Sequence, residues 1–177
     1  MRAGLLSLGF FLLCTIRAYA EVPIQPNFEE GKFTGTWYSI GLASNSKWFD
    51  HKKEHLKMCT TIITPTIDGN LNVTSTFSRD GQQKVKTKTL FRTEQPGRFR
   101  ATSLRWGNEY DIRVVETNYD EYALTYKGKT KDTEIFTMVI LYSRARNLRP
   151  ELLEKFRQFS LDQGLAQSNI LILPPSD

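Results

Sequence analysis

The chain has 177 residues, with 24 Lys and Arg against 19 Asp and Glu, a formal net charge of +5, two histidines and two cysteines. That length suits one domain with its own core. The charges are scattered and form no basic cluster interleaved with stacking aromatics, which argues against a nucleic-acid partner.

Met1-Arg2, an apolar run over residues 5–13 and Ala18-Tyr19-Ala20 before Glu21 read as a secretory signal peptide over residues 1–20. The expected product is extracellular, after transit through the endoplasmic reticulum and Golgi. The run is too short for a stable membrane anchor, which needs about 20 apolar residues. Residues 21–177 then form a single domain. Cys14 leaves with the signal, so Cys59 has no partner in the chain and is either a free thiol or paired between chains.

After a Pro-containing leader, residues 31–42 read as a helical turn entering a strand, with Trp37, Ser39 and Gly41 on one face and Tyr38, Ile40 and Leu42 on the other. Residues 43–57, with Trp48-Phe49 and a charged run through His55, are long for a hairpin loop and have the length of a lid. Residues 58–64 read as a strand on which Cys59, Thr61 and Ile63 share a face. Asp68-Gly69-Asn70 turns the chain into a strand bearing the sequon Asn72-Val73-Thr74. A glycan at Asn72 requires Asn72, Thr74 and Thr76 to face out and Val73, Ser75 and Phe77 to face in. Asp80-Gly81 turns again into residues 84–91, where alternation sends Lys84, Lys86 and Lys88 to solvent and Val85, Thr87, Thr89 and Phe91 inward. Phe99, Ala101 and Ser103 follow as inward positions, then Tyr110, Ile112 and Val114, and two further strands reach residue 144. About eight strands at this spacing make an antiparallel barrel or sandwich. The mixed inner face fits a ligand cavity better than a dry core. Pro150 opens one amphipathic helix with Leu152, Phe156 and Phe159 on its apolar stripe, and residues 170–173 form a short closing strand.

Little enzymatic chemistry is visible by pattern. His51 and His55 stand at i and i+4 with Glu54 between them, but no third ligand accompanies them, so no metal site is assigned. There is no nucleophile elbow and no phosphate-cradling Gly-rich loop. A lone thiol on a strand is ordinarily a small buried hydrophobe.

Gly35-Thr36-Trp37, opening the first strand after a helical turn, resembles the lipocalin signature. Thr117-Asn118-Tyr119 resembles the second lipocalin motif, with Asn118 where Asp is usual, and Ser143-Arg144 resembles the third. The resemblance implies an all-β fold: an eight-stranded antiparallel up-and-down barrel with the C-terminal α-helix packed outside. It also implies that Arg144 lies over Trp37 in a cation–π contact closing one barrel end.

Within that family, residues 37–46, Lys57-Met58-Cys59, residues 68–77 and residues 114–120 resemble the lipocalin-type prostaglandin D synthases. That resemblance implies isomerisation of prostaglandin H2 to prostaglandin D2 by a Cys59 nucleophile. Ser39, Thr61 and Ser75 would be supporting hydroxyls, and Phe77, Trp106, Tyr110, Met138 and Tyr142 would line the ligand cavity. It implies carriage of retinoids, bile pigments and thyroid hormones as well. Trp48 and Lys53 belong to the expected lid, and Lys53 is a candidate to draw the thiol toward its ionised form. No cofactor is implied, although an exogenous thiol such as glutathione supports turnover, and the chain is expected to act as a monomer. The alternative is a carrier of small hydrophobic molecules without catalysis. Gln83 stands where mammalian members have a disulfide cysteine, and the family's other glycosylation site is lost at Asn45-Ser46-Lys47.

Overall fold

The computed structural model describes residues 21–103 and 107–176; the expected signal segment and Trp106 lie outside them. A helical turn α1 (Glu30–Phe33) leads into β1 (Gly35–Ser44). Residues 43–57, read from sequence as a long loop, contain a helix α2 (Lys47–Lys52) and a 3₁₀ turn (Lys53–His55). Ser46 starts α2 by accepting the Phe49 N–H at 3.2 Å. Then follow β2 (Thr60–Pro65), β3 (Leu71–Arg79), β4 (Gln82–Arg92), β5 (Arg98–Thr102), β6 (Glu109–Thr117), β7 (Tyr122–Lys131) and β8 (Glu134–Ser143). Helix α3 (Pro150–Asp162) and β9 (Ile170–Ile172) complete the chain. The sheet runs β2-β3-β4-β5-β6-β7-β8-β1-β9, and the additional pairing of β1 with β2 closes strands β1 to β8 into an antiparallel barrel.

One end of the barrel is plugged by its own sequence motifs. Trp37 is fully buried and donates its indole N–H to Phe33 O at 2.8 Å, while the Arg144 guanidinium lies 3.6 Å from the ring centroid. Arg144 also donates to four main-chain oxygens, those of Tyr119 and Thr36 at 2.8 Å, Lys32 at 3.0 Å and Thr34 at 2.8 Å. Gly35 has φ of 101°, and a Cβ there would meet Arg144 Nη1 at 3.1 Å, so the motif glycine serves both backbone and contact.

Two expected facings are corrected. In β1 a bulge between Ser39 and Gly41 shifts the register, so Trp37 and Ser39 face in but Gly41 and Ala43 face out toward α3. A Cβ on Gly41 would sit 2.6 Å from the Phe156 ring, which shows how closely α3 approaches the barrel wall. In β4 the expected alternation is inverted. Asp80 (φ 53°) and Gly81 (φ 74°) make a two-residue hairpin turn that pairs Arg79 with Gln82, and hence Phe77 with Lys84, Ser75 with Lys86 and Val73 with Lys88. Directly opposite residues share a face, so the three lysines join Phe77, Ser75 and Val73 on the inner wall. Val85 and Phe91 are exposed outside, while Leu90 is buried in the core.

Candidate functional site

Cys59 immediately precedes β2, one residue outside the strand expected to hold it, yet its main chain continues the register with β1. The Ser39 N–H donates to Cys59 O at 3.0 Å, and the Cys59 N–H donates to Ser39 Oγ at 2.7 Å. The thiol is half-buried and its sulfur lies 3.8 Å from Lys57 O. Burial pushes the Cys59 thiol above the usual range, and the weaker opposing influence is the hydrogen bond with Ser39.

Thr61 and Ser75 form a direct cross-strand pair whose hydroxyl oxygens are 3.0 Å apart, beside Trp37 and one inward position beyond Cys59. On the other side of β1, Tyr142 pairs with Ser39. Its phenol is pushed up first by burial and then by the charge Cys59 acquires on ionising, which places the two groups within electrostatic reach. Ser39, Cys59, Tyr142 and the Thr61–Ser75 pair thus occupy one patch of inner wall. Lys53 behaves otherwise. Its ammonium donates to Asn169 Oδ1 at 2.9 Å and Ser168 O at 3.3 Å, tying the 3₁₀ turn to the C-terminal segment, and Ser39 is the group that lowers the Cys59 pKa. Trp48 on α2 is 54% exposed. His51 and His55 gain no third ligand: among the described residues no three His, Cys, Asp or Glu side chains converge.

The opposite wall is cationic. Lys88 and Lys127 line the central cavity with Ile63, Val73, Phe99, Met138 and Tyr142. Burial, with repulsion from Lys86, lowers Lys88 to about 8. Burial, then Lys88 and Lys86, lowers Lys127 to about 7. The Lys127 ammonium sits 4.1 Å from the Tyr110 ring centroid, and Tyr110 in turn packs edge-on against Phe136. Phe77, opposite Lys84, is on the inner face nearer the β3–β4 hairpin. The enclosed volume is about 40 Å³, against ~300–1,000 Å³ for ordinary ligand pockets. Three of the lining side chains, Lys88, Lys127 and Met138, are long and unbranched.

Sequence reasoning missed the lysines because it sent charge to solvent by default. The signal that finds them is the two-residue Asp80-Gly81 turn combined with an inward Phe77. The sequon residue Asn72 lies on the outer face, where its Oδ1 accepts from Thr89 Oγ1 at 3.0 Å.

The family model for lipocalins and cytosolic fatty-acid binding proteins matches residues 34–177. A protein named "Lipocalin" from Rhinella marina is 53% identical over 100% of this chain and 97% of its own length. Proteins named "Prostaglandin-H2 D-isomerase" are 44% identical in Equus caballus and 45% in Mus musculus, each over 98% of this chain and over 92% and 93% of their own lengths. A solved siderocalin, Ex-FABP, described as functioning through dual ligand specificities, superposes with a TM-score of 0.70 at 25% identity, covering 82% of this chain and 96% of that one. Barrel, motifs and full-length similarity agree: the chain belongs to the lipocalin and cytosolic fatty-acid binding protein family.

Proposed function

We propose that this lipocalin is secreted, carries small lipophilic ligands in its barrel and isomerises prostaglandin H2 to prostaglandin D2 at Cys59. The observation that carries the catalytic part is the Cys59–Ser39 pair on the inner wall beside Tyr142, in a chain 44% identical to a horse protein named for that activity. The thiolate attacks the endoperoxide oxygen attached to C11, forming an S–O bond as the weak O–O bond breaks. The electron pair released leaves an alkoxide at C9, which takes up a proton. Loss of the C11 proton then forms the ketone and expels the thiolate, so one proton is gained, one is lost and the enzyme is regenerated. The substrate's own O–O bond supplies the oxidising equivalent, and no cofactor is needed; glutathione or a similar thiol keeps Cys59 reduced. Ser39 stabilises the thiolate by hydrogen bonding, and the Thr61–Ser75 pair and Tyr142 supply further donors beside it. The protein acts as a monomer.

Carriage alone is the second reading, favoured by the burial that keeps Cys59 mostly protonated at neutral pH. Incubating the purified protein with prostaglandin H2 and glutathione, beside Cys59→Ala and with retinoic acid titrated in parallel, separates the two. Prostaglandin D2 formed by wild type and lost in Cys59→Ala supports catalysis. Product surviving the substitution sinks the mechanism, and retinoid binding with no turnover leaves the carrier.

A further inference from the structure

Two amines share the barrel cavity. Lys88 reaches it from β4 and Lys127 from β7, three strands away in the sheet, and both line the same enclosed space. Among the described residues, the charges that shift them are those of other lysines: Lys86 acts on both, and Lys88 acts on Lys127. The carboxylates of neighbouring β6 are spent elsewhere, Asp111 on Arg98 and Arg113 and Glu109 on Arg100. On β8 the inward-register carboxylate is Glu134, exposed at the first residue of the strand. Lys84 on β4, Lys129 on β7, the phenols of Tyr110, Tyr126 and Tyr142 and the Cys59 thiol are the other titratable groups around the two amines. From β3 and β5 the cavity receives Val73 and Phe99, which carry no charge. An ammonium in an apolar cavity is unfavourable, and a second one beside it more so. The outcome is a division of labour between the amines. Between pH 7 and 8 Lys127 is mostly a free amine, while Lys88 is mostly an ammonium.

We propose that Lys127 is a nucleophilic amine that captures lipophilic aldehydes inside the barrel as a reversible imine, with Lys88 as the acid that assists loss of water. The capture rests on the interior being the site of carriage and needs nothing of Cys59. Geometry supplies the argument: the Lys127 nitrogen sits against the Tyr110 ring, and the wall between it and Trp37 is apolar, with Ile63, Phe99, Ile112 and Val114. An aldehyde's chain takes that wall and its carbonyl carbon meets the amine. The nitrogen lone pair forms a C–N bond as the C=O π pair moves to oxygen, and proton transfer from nitrogen to oxygen gives a carbinolamine. A proton from the Lys88 ammonium lets the hydroxyl leave as water. The nitrogen lone pair then closes the C=N bond, and its last proton returns to Lys88. Amine and aldehyde become imine and one water, with no oxidation or reduction. Burial serves this chemistry twice, by keeping the amine unprotonated and by limiting the water that reverses the imine. Imine formation should quicken as Lys127 loses its proton near pH 7 and slow as Lys88 loses its own near pH 8, with its optimum between.

Dodecanal is the probe, because its saturated chain gives the Cys59 thiol no conjugated alkene to attack. Cyanoborohydride reduces the imine to a stable secondary amine, and peptide mapping by mass spectrometry finds the lysine that carries it. An exposed lysine is almost wholly protonated at pH 7, so wild type should carry at least about tenfold more dodecyl on Lys127 than on the exposed Lys47 or Lys52. Excess dodecanol, which has the chain without the carbonyl, should suppress that adduct. Lys127→Met should lose it without a matching gain elsewhere. Lys88→Met should move the acid limb of the pH profile upward, by removing a repelling charge, and abolish the alkaline descent. Labelling spread evenly over the lysines, a Lys127 adduct indifferent to dodecanol, or an unchanged pH profile in Lys88→Met overturns the capture. Displacement of bound anilinonaphthalene sulfonate by dodecanol reads carriage separately. Displacement without a Lys127 adduct removes the imine alone, and neither displacement nor adduct removes both carriage and capture.

Discussion

Replacing Lys127 with Met is the sharpest probe of the inward lysines. Methionine keeps an unbranched chain of similar reach and removes the charge, so the packing around Tyr110 and Met138 is largely preserved. The pH dependence has a definite sign. A lysine whose folded value is about 7 against an ordinary 10.5 is neutral in the native state and protonated in the unfolded one across that interval. Unfolding there takes up a proton, so wild-type stability rises as pH climbs from 7 to 10.5. Below 7 both states hold the proton, and the native state bears the full penalty of a buried ammonium. The interval from about 7 to 10.5, at about 1.4 kcal/mol per pH unit, sets a ceiling of ~5 kcal/mol. Lys127 is only partly excluded from solvent, and screening reduces that to ~1–2 kcal/mol. Lys127→Met should therefore be more stable than wild type at pH 6 by ~1–2 kcal/mol, or ~4 °C in Tm, with the gain gone above pH 10.5. Urea or thermal melts at pH 6 and pH 10.5 measure it. An equal gain at both pH values, or a loss at pH 6, refutes a buried, charge-disfavoured Lys127.

Two other predictions test the thiol and the outer wall. Ser39→Ala removes the group that lowers the Cys59 pKa, so alkylation by iodoacetamide at pH 8 should slow by about two- to tenfold, and an unchanged or faster rate counts against Ser39 as the thiol's partner. Gly41→Ala drives a methyl group into the Phe156 ring and should cost ~1–3 kcal/mol, partly recovered in Gly41→Ala/Phe156→Leu; melts of the three variants decide it.

The barrel was legible because its punctuation is local. Asp68-Gly69, Asp80-Gly81 and the change of hydrophobic period at Pro150 mark hairpins and helix without tertiary information. The contact of Arg144 with Trp37 joins opposite ends of the chain and was legible only through family resemblance. Facing was harder. The Phe77 side of β3 followed from the sequon, and the Asp80-Gly81 turn then fixes Lys84 opposite Phe77, so inward lysines were implied by two readings already in hand. The habit of sending lysine to water outweighed the geometry, although Leu90 shares the parity of Lys88 and is buried. The β1 bulge has no such sequence signal: it arises where Gly41 must let Phe156 approach, a contact about 115 residues away in the chain.

The two halves of the interior obey different electrostatics. Cys59 is governed by burial and Ser39, and no lysine shifts its ionisation. Lys127 is governed by burial and its fellow lysines, and the thiol does not enter. Charge on the cationic wall therefore neither adds to nor removes from the stabilisation of a Cys59 thiolate directly. For the isomerisation proposed above, weak activation of the thiol is tolerable, because an endoperoxide offers an O–O bond that a small thiolate fraction can open. The cationic side chains sit on β4 and β7 and the proposed chemistry on the β1–β2 pairing, so a substitution on one wall leaves the other in place.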